Sequence, residues 1–336
     1  KRTAEPLARR FQDAGVDAGS RVAICMGNRA AWPISGYAAF FRGAVLVPID
    51  YKLTAKEQLT LLAHSQPTVL VTEWSTFQDW AGEVPAPHVY VLDVPKNATL
   101  PAGVERWEDT PTDRPAPTYV PRKRTDQATL VYSSGTSGRP KGCMLSHDNY
   151  LEQYRTLAKL FPLVVGDRYF SILPTNHAID FMCGFIGPFA GGATVVHQRS
   201  LRPEFINDSM ERFEITHISV VPLILEAFER RIREKLDEKS ELTQHVFEGL
   251  KQLNSALTVR APKASLSRAL LKPVHDAFGG HLKLVFCGGA YVDRARAHQR
   301  TFPGSADVAS CGYSGPRLQP GRGTRSTPGV RRQRRP

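Results

Sequence analysis

The sequence has few cysteines, no long apolar run and, over its last 23 residues, no acidic residue at all. Each scarcity excludes something. The five cysteines, Cys25, Cys143, Cys183, Cys287 and Cys311, lie far apart and form no C-x-x-C pair. That argues against a disulfide scaffold and a clustered zinc site. The thiols read as small buried hydrophobes of a protein kept in a reducing, cytoplasmic compartment. The most apolar window, residues 181–196, is interrupted by four glycines and a proline. A membrane-crossing helix needs about 20 mostly apolar residues, so none is expected. No secretory leader pattern is visible, and the chain starts with Lys1 rather than Met.

What is present is a globular composition, with 41% hydrophobic and 23% charged residues over 336 positions. That rules out a wholly disordered chain and allows a sizeable core in roughly two domains. The net charge of +12 is unevenly placed, because Ser314–Pro336 contributes seven arginines and no acid. The body is therefore only +5 (37 basic against 32 acidic residues) and shows none of the interleaving of basic and aromatic residues that nucleic-acid binders use. No nucleic-acid partner is expected. The tail has only Leu318 and Val330 as larger apolar residues, too little to fold, so it reads as a disordered end. A polybasic segment that binds phosphates is the alternative.

Short β-rich runs alternate with helical patterns. Strands are predicted at Arg21–Met26, Ala44–Ile49, Thr68–Thr72, His88–Leu92, Ala128–Tyr132, Arg168–Leu173, Ala193–Val196, Thr216–Val221 and Leu282–Phe286. Helices are predicted at Ala30–Phe41, from a Thr54 cap to Ser65, and from a Ser146 cap to about Leu160. Others start near Ala178, broken at Pro188, and at Pro203 and Pro222, with further helix between Lys235 and Lys263. The Pro- and Thr-rich stretch Pro95–Pro121 reads as a long surface connection. Apolar strands alternating with helices predict an α/β fold with parallel-rich sheets flanked by helices.

One segment carries chemistry. A strand runs directly into Ser133, Ser134, Gly135, Thr136, Ser137 and Gly138, followed by Lys141. Glycines let the backbone turn close to a ligand, hydroxyls and exposed amides hold anions, and Lys141 adds a full positive charge. Such a loop suits a polyphosphate. It is neither a Walker A loop nor G-x-G-x-x-G, because the lysine sits in Pro140-Lys141-Gly142.

The whole string Y-S-S-G-T-S-G-R-P-K-G-C-M-L-S-H over 132–147 closely resembles the signature of the adenylate-forming (AMP-binding) enzymes, and the rest resembles most their long-chain fatty acid–CoA ligases. The resemblance continues in order through Val22–Ile49, Leu173–Ala178, Gly191–Val195, Thr216–Pro222 and Leu284–Ala290 to Gly312-Tyr313. It implies the large N-terminal domain of that fold over residues 1–313. It implies ATP, Mg²⁺ and CoA as cofactor and co-substrates, and a fatty acid activated to acyl-adenylate and then to acyl-CoA. By the same resemblance, Ser133–Gly138 and Lys141 hold phosphates, while Gly288, Gly289, Ala290 and Tyr313 frame adenine. His177 borders the acyl group, with the Phe181–Gly187 helix beside it. Peripheral contact with a membrane is left open.

The match stops at residue 314. The family continues G-Y-G-x-T-E, and here the position of the metal-associated glutamate holds Arg317, which offers no oxygen ligand. No counterpart of the small C-terminal domain or its catalytic lysine follows. Thr-Glu written ACC GAG and read one base late gives Pro followed by Arg or Ser, as in Pro316-Arg317. The expectation is an N-terminal part of a longer ligase with a frameshifted tail over 314–336, impaired in turnover. The alternatives are a non-catalytic nucleotide- or acyl-binding remnant, or activation of another carboxylate.

Overall fold

The computed structural model describes residues 3–80, 83–133, 140–258, 264–288 and 309–311. A first sheet collects β1 (Arg21–Cys25), β2 (Val45–Pro48), β3 (Val69–Glu73), β4 (His88–Leu92), β5 (Val104–Arg106), β6 (Gln127–Ser133) and β7 (Lys141–Ser146). Its spatial order is β5-β4-β3-β1-β2-β6-β7. Every pairing in it is parallel except the β6–β7 hairpin. A second sheet, β12-β11-β10-β8-β9, is parallel throughout. Its strands are β8 (Arg168–Ser171), β9 (Thr194–His197), β10 (His217–Val220), β11 (Leu284–Gly288) and β12 (Ala309–Cys311).

The helices that cross between strands are α1 (Ala4–Asp13), α2 (Ala31–Phe41), α3 (Ala55–Ser65), α4 (Trp74–Asp79), α5 (His147–Leu160), α6 (Ala178–Asp180) and α7 (Gly187–Gly191). They continue as α8 (Pro203–Arg212), α9 (Pro222–Asp237), α10 (Glu241–Thr258), α11 (Ala264–Leu270) and α12 (Lys272–Ala277).

Local chemistry explains these boundaries. Thr54 and Glu57 close a reciprocal capping box on α3, and Ser146 with Asn149 does the same on α5. Proline opens α8 and α9, where its missing N–H costs nothing. The central strands are apolar on both faces because both are covered. Val22, Ile24, Val69 and Val71 pack with Leu7, Phe11 and Trp32 of α1 and α2. The alternate residues Ala23, Val45, Val47 and Leu70 pack with Leu61, Leu62 and Phe77 of α3 and α4.

Several sequence expectations need correction. The 95–121 stretch is not all connection, because it contributes β5 to the edge of the first sheet. Lys141–Ser146, read only as part of the loop signature, forms β7. Pro188 breaks nothing: Phe181–Ile186 is a π-helix, and Pro188 lies in the first turn of α7. Cys25, Cys183 and Cys287 are buried as expected, but Cys143 is exposed, because it lies on β7 at the sheet edge.

Among the described residues no helix is long and apolar enough to cross a membrane.

Candidate active-site crevice

In open parallel sheets a ligand crevice forms at the C-terminal ends of strands, where the chain order reverses. In the first sheet that point is β1, flanked by β2 on one side and β3 on the other. In the second it is β8, between β9 and β10. The two reversal points meet. Asn28, just past β1, is buried and donates its carboxamide to the Ser171 carbonyl at 3.1 Å and the Leu173 carbonyl at 2.6 Å, just past β8. Its Oδ1 accepts from the Thr175 amide at 3.0 Å. One side chain therefore ties both sheets to the Leu173–His177 loop.

Beneath that loop lies Asp180, fully buried. It accepts from Tyr169 Oη at 2.7 Å, Ser171 Oγ at 2.8 Å and Thr175 Oγ1 at 2.9 Å. Burial pushes its carboxyl up to about 6, against the pull of those three hydroxyls. Gly184 makes room for it, since a Cβ there would sit 2.7 Å from the carboxylate oxygen. Asp180 lies where α6 meets the π-helix, the kind of local irregularity that recurs at functional sites.

His177 is exposed at the loop's end, its Nε2 3.4 Å from Asp50 Oδ2 past β2. Partial burial would raise the Asp50 carboxyl, but the His177 ring and the Lys52 amide outweigh it and hold it below its ordinary value. A second tie uses charge. Glu73, at the end of β3, takes Arg29 at 3.1 Å and, from past β9, Arg199 at 2.8 Å. The first sheet supplies Arg29 and Glu73, and the second supplies Arg199.

Of the residues singled out from sequence, Ser133 and Lys141 are cross-strand partners at the turn end of the β6–β7 hairpin. Because β6 is parallel to β2, that end lies on the same edge as Asn28 and Asp50. Gly288 ends β11 and lies against Ile179, two residues from His177, so the adenine-side strand and the His177 loop are neighbours. Ser134, Gly135, Thr136, Ser137, Gly138, Gly289, Ala290 and Tyr313 lie outside the described residues, as does Arg317. Phe181 and Phe185 of the π-helix pack into the core around Trp32, with ring centroids 5.9 Å and 5.1 Å away.

The sequence reading passed over Asn28, Asp50, Glu73, Asp180 and Arg199. One signal was available: an acid, Asp180, immediately before the apolar run Phe181–Ile186 is out of place unless something binds it. As for a metal, no group of three His, Cys, Asp or Glu side chains converges among the described residues. Mg²⁺ held through substrate phosphates and its own waters needs no such group.

A family model described as "AMP-binding enzyme" matches residues 1–310. The probable acyl-activating enzyme 16, chloroplastic, of Arabidopsis thaliana is 26% identical over 248 residues, 67% of this chain and 34% of that protein. The long-chain-fatty-acid–CoA ligase FadD15 of Mycobacterium tuberculosis is 25% identical over 321 residues, 90% of this chain and 52% of that one. The crystal structure of the Brucella canis acyl-CoA synthetase superposes with a TM-score of 0.65 at 18% identity, covering 89% of this chain and 48% of that one. The chain thus spans a third to a half of the length of these proteins.

Proposed function

The chain belongs to the AMP-binding enzyme family, whose members include acyl- and aryl-CoA ligases, and from that premise we propose that its crevice activates a long-chain fatty acid. In this reaction a carboxylate oxygen attacks the α-phosphorus of ATP and pyrophosphate leaves. The CoA thiol then attacks the acyl carbon, its proton is lost to solvent, and AMP leaves. The work of this chain is binding and orientation. Ser133 and Lys141 stand at the base of the hydroxyl-rich loop, where Lys141 offsets phosphate charge. Gly288, with Gly289, Ala290 and Tyr313, frames the base, for which stacking on an aromatic ring is worth ~1–3 kcal/mol. His177 borders the acid.

What supports this reading is that Ser133 and Lys141 end β6 and start β7 on the strand-end side where Asn28 ties the two sheets to the His177 loop, and that Gly288 faces Ile179 beside that loop. A second reading, ligand binding without turnover, rests on Arg317 at the family's glutamate position.

Titration of the full chain with AMP and with ATP, alongside palmitate-dependent pyrophosphate release, tests both. Both nucleotides are expected to bind. Lys141→Ala should weaken ATP by about tenfold (~1.4 kcal/mol) and AMP much less, because the lost charge faces the outer phosphates. Failure of both nucleotides to bind would refute the assignment. Binding with little pyrophosphate release favours the second reading.

A further inference from the structure

Away from the crevice, two cavities of about 220 Å³ and about 410 Å³ lie side by side along α9 and share Ile232 and Lys235. The first is lined by Ile206, Phe228 and Phe278, with the exposed Leu223 at its rim, and the second by Phe247, Leu250 and Val274. From Leu223 to Asp237 the helix rises ~21 Å, and Lys239 follows two residues beyond its end, so together they form one long apolar groove. Its charged lining residues are all cations: Arg231 and Lys235 in the first cavity, Lys235 and Lys239 in the second, with no Asp or Glu. Arg231 and Lys235 lie one turn apart on α9, and Lys239 sits in the turn that follows it. Among the described residues none of them pairs with an acid, although Lys251, Lys272 and Lys283 nearby in sequence all do.

We propose that this groove binds a free long-chain carboxylate, with the chain laid along α9 and the carboxylate on the cations Arg231, Lys235 and Lys239. It would be an acyl site separate from the crevice. Charge complementarity selects an anion, and the apolar floor selects a long chain rather than a small ion. Their combined size falls within the ~300–1,000 Å³ of small-molecule sites. The site does not depend on nucleotide chemistry and would stand if the ligase reading failed.

The test is fluorescence titration of the full chain with cis-parinarate, followed by displacement with palmitate and with hexanoate, both below their aggregation concentrations. Palmitate should displace the probe, and hexanoate should do so at least about tenfold less well (~1.4 kcal/mol). The double variant Arg231→Glu/Lys235→Glu should bind one equivalent of probe fewer than the parent chain. Ala227→Trp, which fills the first cavity without touching the cations, should do the same. AMP titration of both variants should match the parent, which shows that they are folded and separates this outcome from failure of the crevice assignment. Unchanged stoichiometry in both variants would overturn the proposal. So would association with phosphatidylglycerol vesicles but not with the free acid.

Discussion

Replacing Asp180 by Asn should change the pH dependence of stability in a calculable way. The carboxyl is fully buried, and among the described residues its hydrogen-bonding partners are the hydroxyls of Tyr169, Ser171 and Thr175. Loss of hydration moves its pKa from 3.8 to about 6, about two units, or ~3 kcal/mol of differential interaction. Because the folded value lies above the unfolded one, the contribution is fully present below about pH 4 and is lost as pH rises through about 6. Asn carries no such titration, and the three hydroxyls can turn to meet its donor and acceptor.

Chemical denaturation of parent and Asp180→Asn at several pH values therefore has a defined outcome. Whatever the offset at pH 4, the stability difference should move in favour of Asn by up to ~3 kcal/mol by pH 8. His197 and His217, both held down to about 4 chiefly by burial, act with the opposite sign and weaken the fold as pH falls. They are common to both proteins and cancel in the difference. A difference that stays flat, or moves in favour of Asp as pH rises, would refute the argument.

Three further substitutions probe the joint between the sheets and its support. Asn28→Ala leaves the Leu173 carbonyl and the Thr175 amide without this partner, while the Ser171 carbonyl keeps the Gln198 amide, and should cost ~2–4 kcal/mol in denaturation while weakening AMP binding. Phe185→Ala should cost ~3–5 kcal/mol, since the ring is buried against Trp32 and Tyr37. A Cβ at Gly36 would lie 2.8 Å from that ring, so Gly36→Ala should destabilise the parent but cost clearly less in the Phe185→Ala background.

The elements most legible in the sequence are those with strictly local causes. The capping residues Thr54 and Ser146, the opening prolines Pro203 and Pro222, and the apolar strands stand in the structure within a residue or two of where their patterns put them. The errors have local causes too. β5 is a short, half-exposed edge strand with no apolar run to announce it. The helix after His177 continues through Pro188 because a new helical segment starts there, where proline is tolerated. Of the candidate site, Ser133, Lys141, His177 and Gly288 were reached through motif resemblance. Asn28 and Glu73 were not reachable, because their partners Ser171 and Arg199 lie 143 and 126 residues away along the chain. Nothing in the neighbourhood of either residue encodes the other sheet.

The kind of residue at each joint follows from where the joint lies. At the buried reversal point the groups to be satisfied are two carbonyls and one amide, so a neutral side chain that both donates and accepts is required. Aspartate at position 28 would set a carboxylate against two carbonyl oxygens, and lysine would leave the Thr175 amide unpaired. At the second joint the same task falls to Glu73, itself buried but paired with Arg29 and with the more exposed Arg199, so that its charge is compensated from two sides. This division fixes the loop that carries His177 without spending a cation on it, and leaves the exposed amine of Lys141, at the turn end of the β6–β7 hairpin, available for the anion that the proposed reaction brings.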